Sequence, residues 1–371
     1  MDGSFIIESL DPTLMFTFLA VGNGYVPEFV RVVDPARQRI DFKLKAMPEG
    51  PFADGCVLRG RVLDPDGAPL VGATVSPMGR SFTDGSMTLG GMADMDPLAI
   101  TDEDGAFLLL AGKPAQSYIA TVRSRALCPQ VVQELKPDED NLIQMSVGVT
   151  VTGRILQNGQ PMAGIAVGLS QASRSAEQYV GAYSIGTDDS GSFTFLNVPA
   201  NQDVFVYGAM ESLRVLGALA VTRVGTPADG GSIDVGGLEL HEGLELRGRV
   251  ELSDGREVPA NTRITLSRNE AWDSQMVELE EDGSFRFFGL PAERYSLSVR
   301  VRGYSMSAEN FSFDSMNGFG LDGMIPHSIP GLIIQLDPGE SQRVSRPDQA
   351  ALRALIARQE QPLRGTEEPD D

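Results

Sequence analysis

LRGRVLDPDGAPLVGATV at 58–75, followed by TDEDGAFLL at 101–109, decides the fold of this chain. The first string is a β-rich run, a short polar turn containing glycine, and a second β-rich run, the pattern of a hairpin. In the second, Asp104-Gly105 stands between apolar runs, a strong signal for chain reversal. Glycine accepts the positive φ that a tight or bulged turn demands, and Asp bonds its own downstream backbone. Phe107 then opens the outgoing strand and, by the period of two, shares a face with Leu109.

Both strings recur. The Gly-Arg run returns as VTGRILQNGQPMAGIAV at 151–167 and LRGRVELSDGREVPANTRITL at 246–266. The acidic turn returns as TDDSGSFTF at 187–195 and EEDGSFRFF at 280–288, and the chain opens with MDGSFII. The turn glycines are Gly3, Gly105, Gly191 and Gly283, and the inward pairs that follow them are Phe5/Ile7, Phe107/Leu109, Phe193/Phe195 and Phe285/Phe287. Two independent markers sharing a period of roughly 90 residues establish an internal repeat. Strand-like QSYIATVRSRAL, QDVFVYGAMESL and RYSLSVRVRGYSM follow the turns, with LMFTFLAVGNGYVPEFVRV in that place in the first copy. Each copy closes on an alternating run: IDFKLKAMP, LIQMSVGV, GGLELHEG or GLIIQLDPG. About seven short strands per unit, with turn signals every 8–12 residues, predict a β-sandwich.

Composition agrees and narrows the function classes. Hydrophobic residues make up 42% of the 371, enough for real cores, and 41 Gly with 23 Pro suit many turns and few long helices. A formal net charge of −21 repels phosphate backbones and anionic lipid, so no nucleic-acid partner and no direct membrane insertion are expected. No apolar run reaches transmembrane length; LMFTFLAVG and VLGALAV (215–221) are strand-sized. Cys56 and Cys128 are the only cysteines, so there is no disulfide framework; both fall in one repeat, and one bridge or two free thiols satisfy the sequence equally.

GRVLDPDGAPLVGATV followed by TDEDGAFLL resembles the carboxypeptidase regulatory-like domain, a transthyretin-like (prealbumin-like) sandwich found in tandem in bacterial surface and secreted proteins. The resemblance covers roughly residues 1–338, strongest at 56–147 and 244–338, and looser where NGQPMAGIAV stands in the third copy. It implies an all-β tandem array of seven-stranded prealbumin-like sandwiches in an extracytoplasmic setting. It implies a spacer or binding module, with a polysaccharide or another surface protein as partner class. It specifies a fold rather than a reaction.

The expected organisation is half a sandwich at 1–50, sandwiches at 54–147, 148–241 and 244–338, and a short helix with an acidic disordered tail at 339–371. The first copy opens at its own hairpin turn, so the Gly-Arg half is absent before Gly3, leaving open edges and an uncovered apolar face. An upstream in-frame extension carrying the strands and an export signal would supply it, with Met1 then an internal residue. Packing on the second copy, or strand addition by a partner, is the alternative, and the pattern of residues 1–48 is too apolar for disorder. In the tail, Pro347 follows Ser345-Arg346, and Leu352, Leu355 and Ile356 form a helical apolar stripe.

The residues do not spell a catalyst, and no catalytic group, metal or cofactor is assigned. There are two His, His241 and His327; Glu245 in HEGLE is four residues from His241 on a strand end, where such a pair does not converge on zinc. GFGLDG at 318–323 fits G-x-G-x-x-G, but MIPHSIPG follows and forbids the helix a dinucleotide needs, so it reads as a loop. Asp84, Asp94, Asp96, Asp102 and Asp104 crowd one region; such carboxylates can serve calcium or glycoside chemistry, yet they lack ordered loop spacing, and turn duty suffices to explain them. The candidate ligand-binding residues are Trp272, the only tryptophan, in RNEAWDSQMVELEEDG, and Tyr179 and Tyr183 in the equivalent region of the third copy. Aromatics on loops of a rigid sandwich make a natural carbohydrate platform, although packing is their commoner role. The leading expectation is a non-enzymatic spacer or binding module. The alternatives are an adhesin using the loops near Trp272 and an accessory fragment of a larger secreted hydrolase.

Overall fold

A computed structural model describes residues 4–11, 14–34, 37, 39–175, 178–306, 315–317 and 320–339. The turn at Gly3 and the expected C-terminal helix, with Pro347, Leu352, Leu355 and Ile356, lie outside the described residues. The chain is all-β: among the described residues the one helix is the single turn Met210–Leu213. It divides into two compact units, one of residues 1–206 with 222–238, the other of 207–221 with 239–371.

The first unit begins with an antiparallel hairpin, Phe16–Ala20 against Glu28–Val33. The alternating run at 40–48, expected as a closing strand, contributes only an isolated bridge from Ala46 to Tyr25. It is tied there by Val26 N–H to Lys45 O and Met47 N–H to Gly24 O, both 2.8 Å. Next comes a three-stranded sheet in which Val57–Leu63 lies between Asp140–Gln144, parallel to it, and Ala106–Leu110, antiparallel. A second sheet, built on Thr74–Ser81 and Ser117–Arg123, covers it. Leu58, Phe107, Leu109 and Ile143 of the first meet Val75, Tyr118, Ala120 and Val122 of the second in one core. Each Leu, Ile, Val or Phe side chain so removed from water contributes ~1.5–3 kcal/mol. Two further four-stranded sheets follow, built on Val149–Gln157 with Ser192–Val198, and on Ala166–Gln171 with Asp203–Gly208.

In the second unit Leu244–Leu252 lies between Ser284–Leu290, antiparallel, and Ile329–Pro338, parallel. The facing sheet is built on Arg263–Arg268 and Arg294–Val299. Phe285, Phe287, Leu246 and Ile334 pack on Ile264, Leu266, Tyr295 and Leu297. Met210 belongs to this core, which is why Tyr207–Val221 counts with the second unit although the sequence copies divide after 241. Residues 215–221, strand-sized by composition, form no strand; Ala218 makes one isolated bridge to His241. Gly320–Met324, overlapping the stretch 318–323 read as a loop, is a strand, because its backbone pairs with Arg294–Val299 on one side and Ser315–Asn317 on the other.

The repeated turn has one construction. Asp102 Oδ1 accepts the N–H groups of Asp104 and Ala106 at 3.0 and 2.7 Å, and Asp188 Oδ1 accepts those of Ser190 and Ser192, both at 2.9 Å. The backbone carbonyls of Asp102, Asp188 and Glu280 each accept the N–H of the glycine three residues on. Gly105, Gly191 and Gly283 have φ of 70°, 70° and 81°. Their carbonyls accept the N–H of Val62, Ile155 and Val250, a docking so close that a Cβ on Gly105 would meet Val62 O at 2.5 Å. Only glycine meets both conditions. Cys56 and Cys128 are buried and free, which settles the pairing the sequence left open.

Candidate functional site

The crowded aspartates have separate structural duties. Asp84 turns on Ser86, whose hydroxyl holds its carboxyl below the usual range. Asp94 accepts from one nitrogen of the buried Arg80, Nη2, through both of its oxygens at 2.9 and 3.0 Å. Asp96 accepts the Leu110 N–H at 2.8 Å, and its burial pushes its pKa up. Asp102 caps its own turn, which Asp104 helps to form. Among the described residues, no three His, Cys, Asp or Glu side chains gather where they could hold a metal ion. His241 and His327 are exposed.

Of the three aromatic candidates, Tyr179 and Tyr183 fall in the first unit and Trp272 in the second. Tyr183, on Ala182–Gly186, lies edge-on to Phe195 at 6.5 Å, and its hydroxyl donates to Asn197 O at 3.2 Å; burial drives its pKa far upward. Tyr179 is half-buried in the preceding loop. Trp272 is different. It is 58% exposed on the loop between Arg263–Arg268 and Ser274–Glu278.

That loop is held rigidly from beneath. Arg268, fully buried, donates to both oxygens of Glu293 at 2.8 Å, to Gly208 O at 3.1 Å and to Leu219 O at 3.0 Å. Asp273 lies 3.6 Å from the same guanidinium and accepts the Met210 N–H at 2.9 Å. Glu293 accepts the Val221 N–H at 2.6 Å, and Tyr207 donates its hydroxyl to Trp272 O at 3.0 Å. Burial pushes the Asp273 pKa up, while the Glu293 carboxylate holds Arg268 protonated against its own desolvation. One cation, two carboxylates and four backbone groups thus fasten Tyr207–Val221 under the Trp272 loop. The sequence gives no warning of it, because the segment it fastens is distant along the chain.

A second feature of this unit is an open groove of about 890 Å3 on the outer face of the sheet carrying Leu244–Leu252. Arg214, Arg247, Arg249, Arg286, Phe288 and Ile333 line it. The Arg286 and Arg214 guanidinium groups lie 4.0 and 5.7 Å from the Phe288 ring centre. Glu245 pairs with both Arg286 and Arg247, and Asp282 with Arg249 at 3.0 Å. The alternation of charge in LELRGRVEL foreshadows this ladder. With its cations answered by carboxylates, the face is a solvated ion-pair surface rather than an anion trap.

No protein-family model matches the chain, and no curated protein matches it. Among solved structures it aligns with the Bacillus anthracis TIE protein at 12% identity and a TM-score of 0.21, over 76% of this chain and 50% of that one. It aligns with a streptococcal ancillary pilin at 11% identity and a TM-score of 0.26, over 76% of this chain and 99% of that one. The minor pilin GBS52 of Streptococcus agalactiae gives 12% identity and a TM-score of 0.27, over 53% of this chain and 99% of that one. The chain therefore spans half the length of the first of these. Superpositions this loose carry no functional assignment.

Proposed function

We propose that this chain is a non-enzymatic, extracytoplasmic spacer of carboxypeptidase regulatory-like sandwiches, built to carry tension. One observation supports it most. In the proposed repeats 54–147 and 244–338, the first strand pairs in parallel with the last: Val57–Leu63 with Asp140–Gln144, and Leu244–Leu252 with Ile329–Pro338. The chain then enters such a sheet at one end and leaves it at the other. A pull between those ends strains every bond of the shared ladder together, in shear, instead of opening them one at a time. The recurring acids fit the same reading, since their bonds go to their own turns.

Stretching single molecules tests it. Each of these two sandwiches is expected to give way in one high-force step, releasing roughly 300 Å for ~90 residues at ~3.4 Å apiece. Gradual extension at the force of an unzipping antiparallel hairpin would refute it. A second reading, carbohydrate binding, is favoured by the exposure of Trp272 on an anchored loop. Glycan-array binding lost on Trp272→Ala is its expected signature; binding unchanged by that substitution removes it.

A further inference from the structure

The chain crosses between its two compact units more than once. It leaves the first unit after Val206, returns to it at Thr222, and leaves it again after Leu238. Val206 and Thr222 face each other in the ladder of Asp203–Gly208 with Thr222–Gly225, so residues 207–221 depart from that sheet and rejoin it at one point.

Between those points the segment is built into the second unit at both of its ends. On the way in, Gly208 O accepts from Arg268 at 3.1 Å and the Met210 N–H donates to Asp273 at 2.9 Å. On the way out, Leu219 O accepts from Arg268 at 3.0 Å and the Val221 N–H donates to Glu293 at 2.6 Å. Met210 is buried in the core beside Phe287 and Leu290, and Leu213 is buried too, while Val215 between the two anchors is 90% exposed. The last crossing is fastened to the same segment, because Ala218 and His241 exchange both backbone hydrogen bonds at 2.9 Å.

This routing decides where a pull travels. Tension on the first unit enters the second at Tyr207, ahead of the crossing at Leu238. Residues 222–238 are then a loop with both ends held by the second unit, at Val221 and at His241, and no load passes through them.

We propose that Tyr207–Val221 is a strap that hides chain length from tension. The third copy opens only as far as Val206, and residues 207–243 stay slack until the strap lets go. The parallel ladder of Leu244–Leu252 with Ile329–Pro338 takes load only after that release. The strap therefore yields between the third copy and the fourth, as a sub-global opening with its own step. This deepens the tension-bearing reading and rests on it for its purpose. The two fail separately, since the strap is read from step lengths and the ladders from the force at which they break.

The test stretches the full chain by tags at its two ends. The third copy is expected to release residues 148–206 first, about 200 Å at ~3.4 Å per residue, and the strap residues 207–243 afterwards, about 125 Å. Arg268→Met removes the cation that holds both ends of the strap and is expected to merge these into one event of about 325 Å. Insertions that leave this cluster intact assign each event. Six Gly-Ser residues placed after the exposed Val215 are expected to lengthen only the second event, by ~20 Å, and six placed between Asn158 and Gly159, an exposed turn, only the first. A single event of about 325 Å in the unaltered chain, or a first event lengthened by the insertion after Val215, would overturn the proposal. Two separate events persisting in Arg268→Met would overturn it as well.

Discussion

Replacing Arg268 with methionine keeps most of its volume and removes its charge. The side chain is wholly buried, with Asp273 and Glu293 only 9% and 14% exposed beside it. Deleting the cation strands two carboxylates and leaves the carbonyls of Gly208 and Leu219 without their donor. Breaking a buried pair from one side costs ~3–5 kcal/mol. For a unit of this size ~4 kcal/mol lowers the melting temperature by on the order of 15 °C. Trp272 is the only tryptophan and lies in the loop held by this cluster, so its fluorescence during urea or thermal unfolding reports on the second unit. Arg268→Met should therefore shift that transition by the full amount. The triple variant Arg268→Met, Asp273→Asn, Glu293→Gln should recover at least ~1 kcal/mol, because neutral amides are less costly to bury than unpaired carboxylates. A single-variant loss below ~1 kcal/mol, or a triple variant weaker than the single, would refute the argument that the ion cluster fastens Tyr207–Val221.

Gly248→Ala places a Cβ 2.4 Å from Leu332 O and 2.5 Å from Phe285 Cζ. Overpacking of this kind should destabilise the second unit by ~1–3 kcal/mol in denaturant titration. The Ser190 hydroxyl is the main reason the Asp188 pKa lies below its ordinary value, followed by the Ser192 backbone N–H. With the folded value depressed, the stability linked to Asp188 is present above the unfolded pKa and is lost as the pH falls through the folded one. Ser190→Ala should raise the Asp188 pKa toward 3.8, read by an NMR titration of the carboxyl carbon. Burial raises the pKa of both thiols, Cys128 to about 11. Iodoacetamide at neutral pH should leave Cys56 and Cys128 unmodified in the folded chain and label both in urea, as mass spectrometry will show.

What the sequence discloses is what local chemistry enforces. Asp104-Gly105 and Phe107 announce a turn, a positive φ and an inward ring, and the φ and the ring are found there, but the carboxylate that bonds the downstream backbone belongs to Asp102, two residues earlier. The Gly-Arg spacing announces strands, although not that Gly60 would face Phe107. The candidate site was less legible. Trp272 could be named as the lone loop tryptophan, but its exposure follows from Arg268, Asp273 and Tyr207 beneath it. Those contacts span 65 residues for Tyr207 and 60 for the Arg268–Gly208 bond, distances at which no periodicity operates. The role of residues 215–221 was hidden for the same reason. Their apolar composition suits a strand, but Val215 is 90% exposed and the backbone is committed to the bonds around Arg268.

The parallel partner of each first strand arrives late. Arg59 waits 81 residues for Asp140, and Glu245 waits 83 for Ser328. During synthesis or passage through a narrow pore, Val57–Leu63 and Leu244–Leu252 therefore remain without that neighbour until nearly the whole sandwich has emerged. Closing so large a loop carries an entropic penalty before any contact repays it, which makes these domains slow folders by topology. The strong negative charge of the chain keeps such half-made sheets apart during the delay. The same topology leaves each such sheet open until its last strand docks and only then closes it.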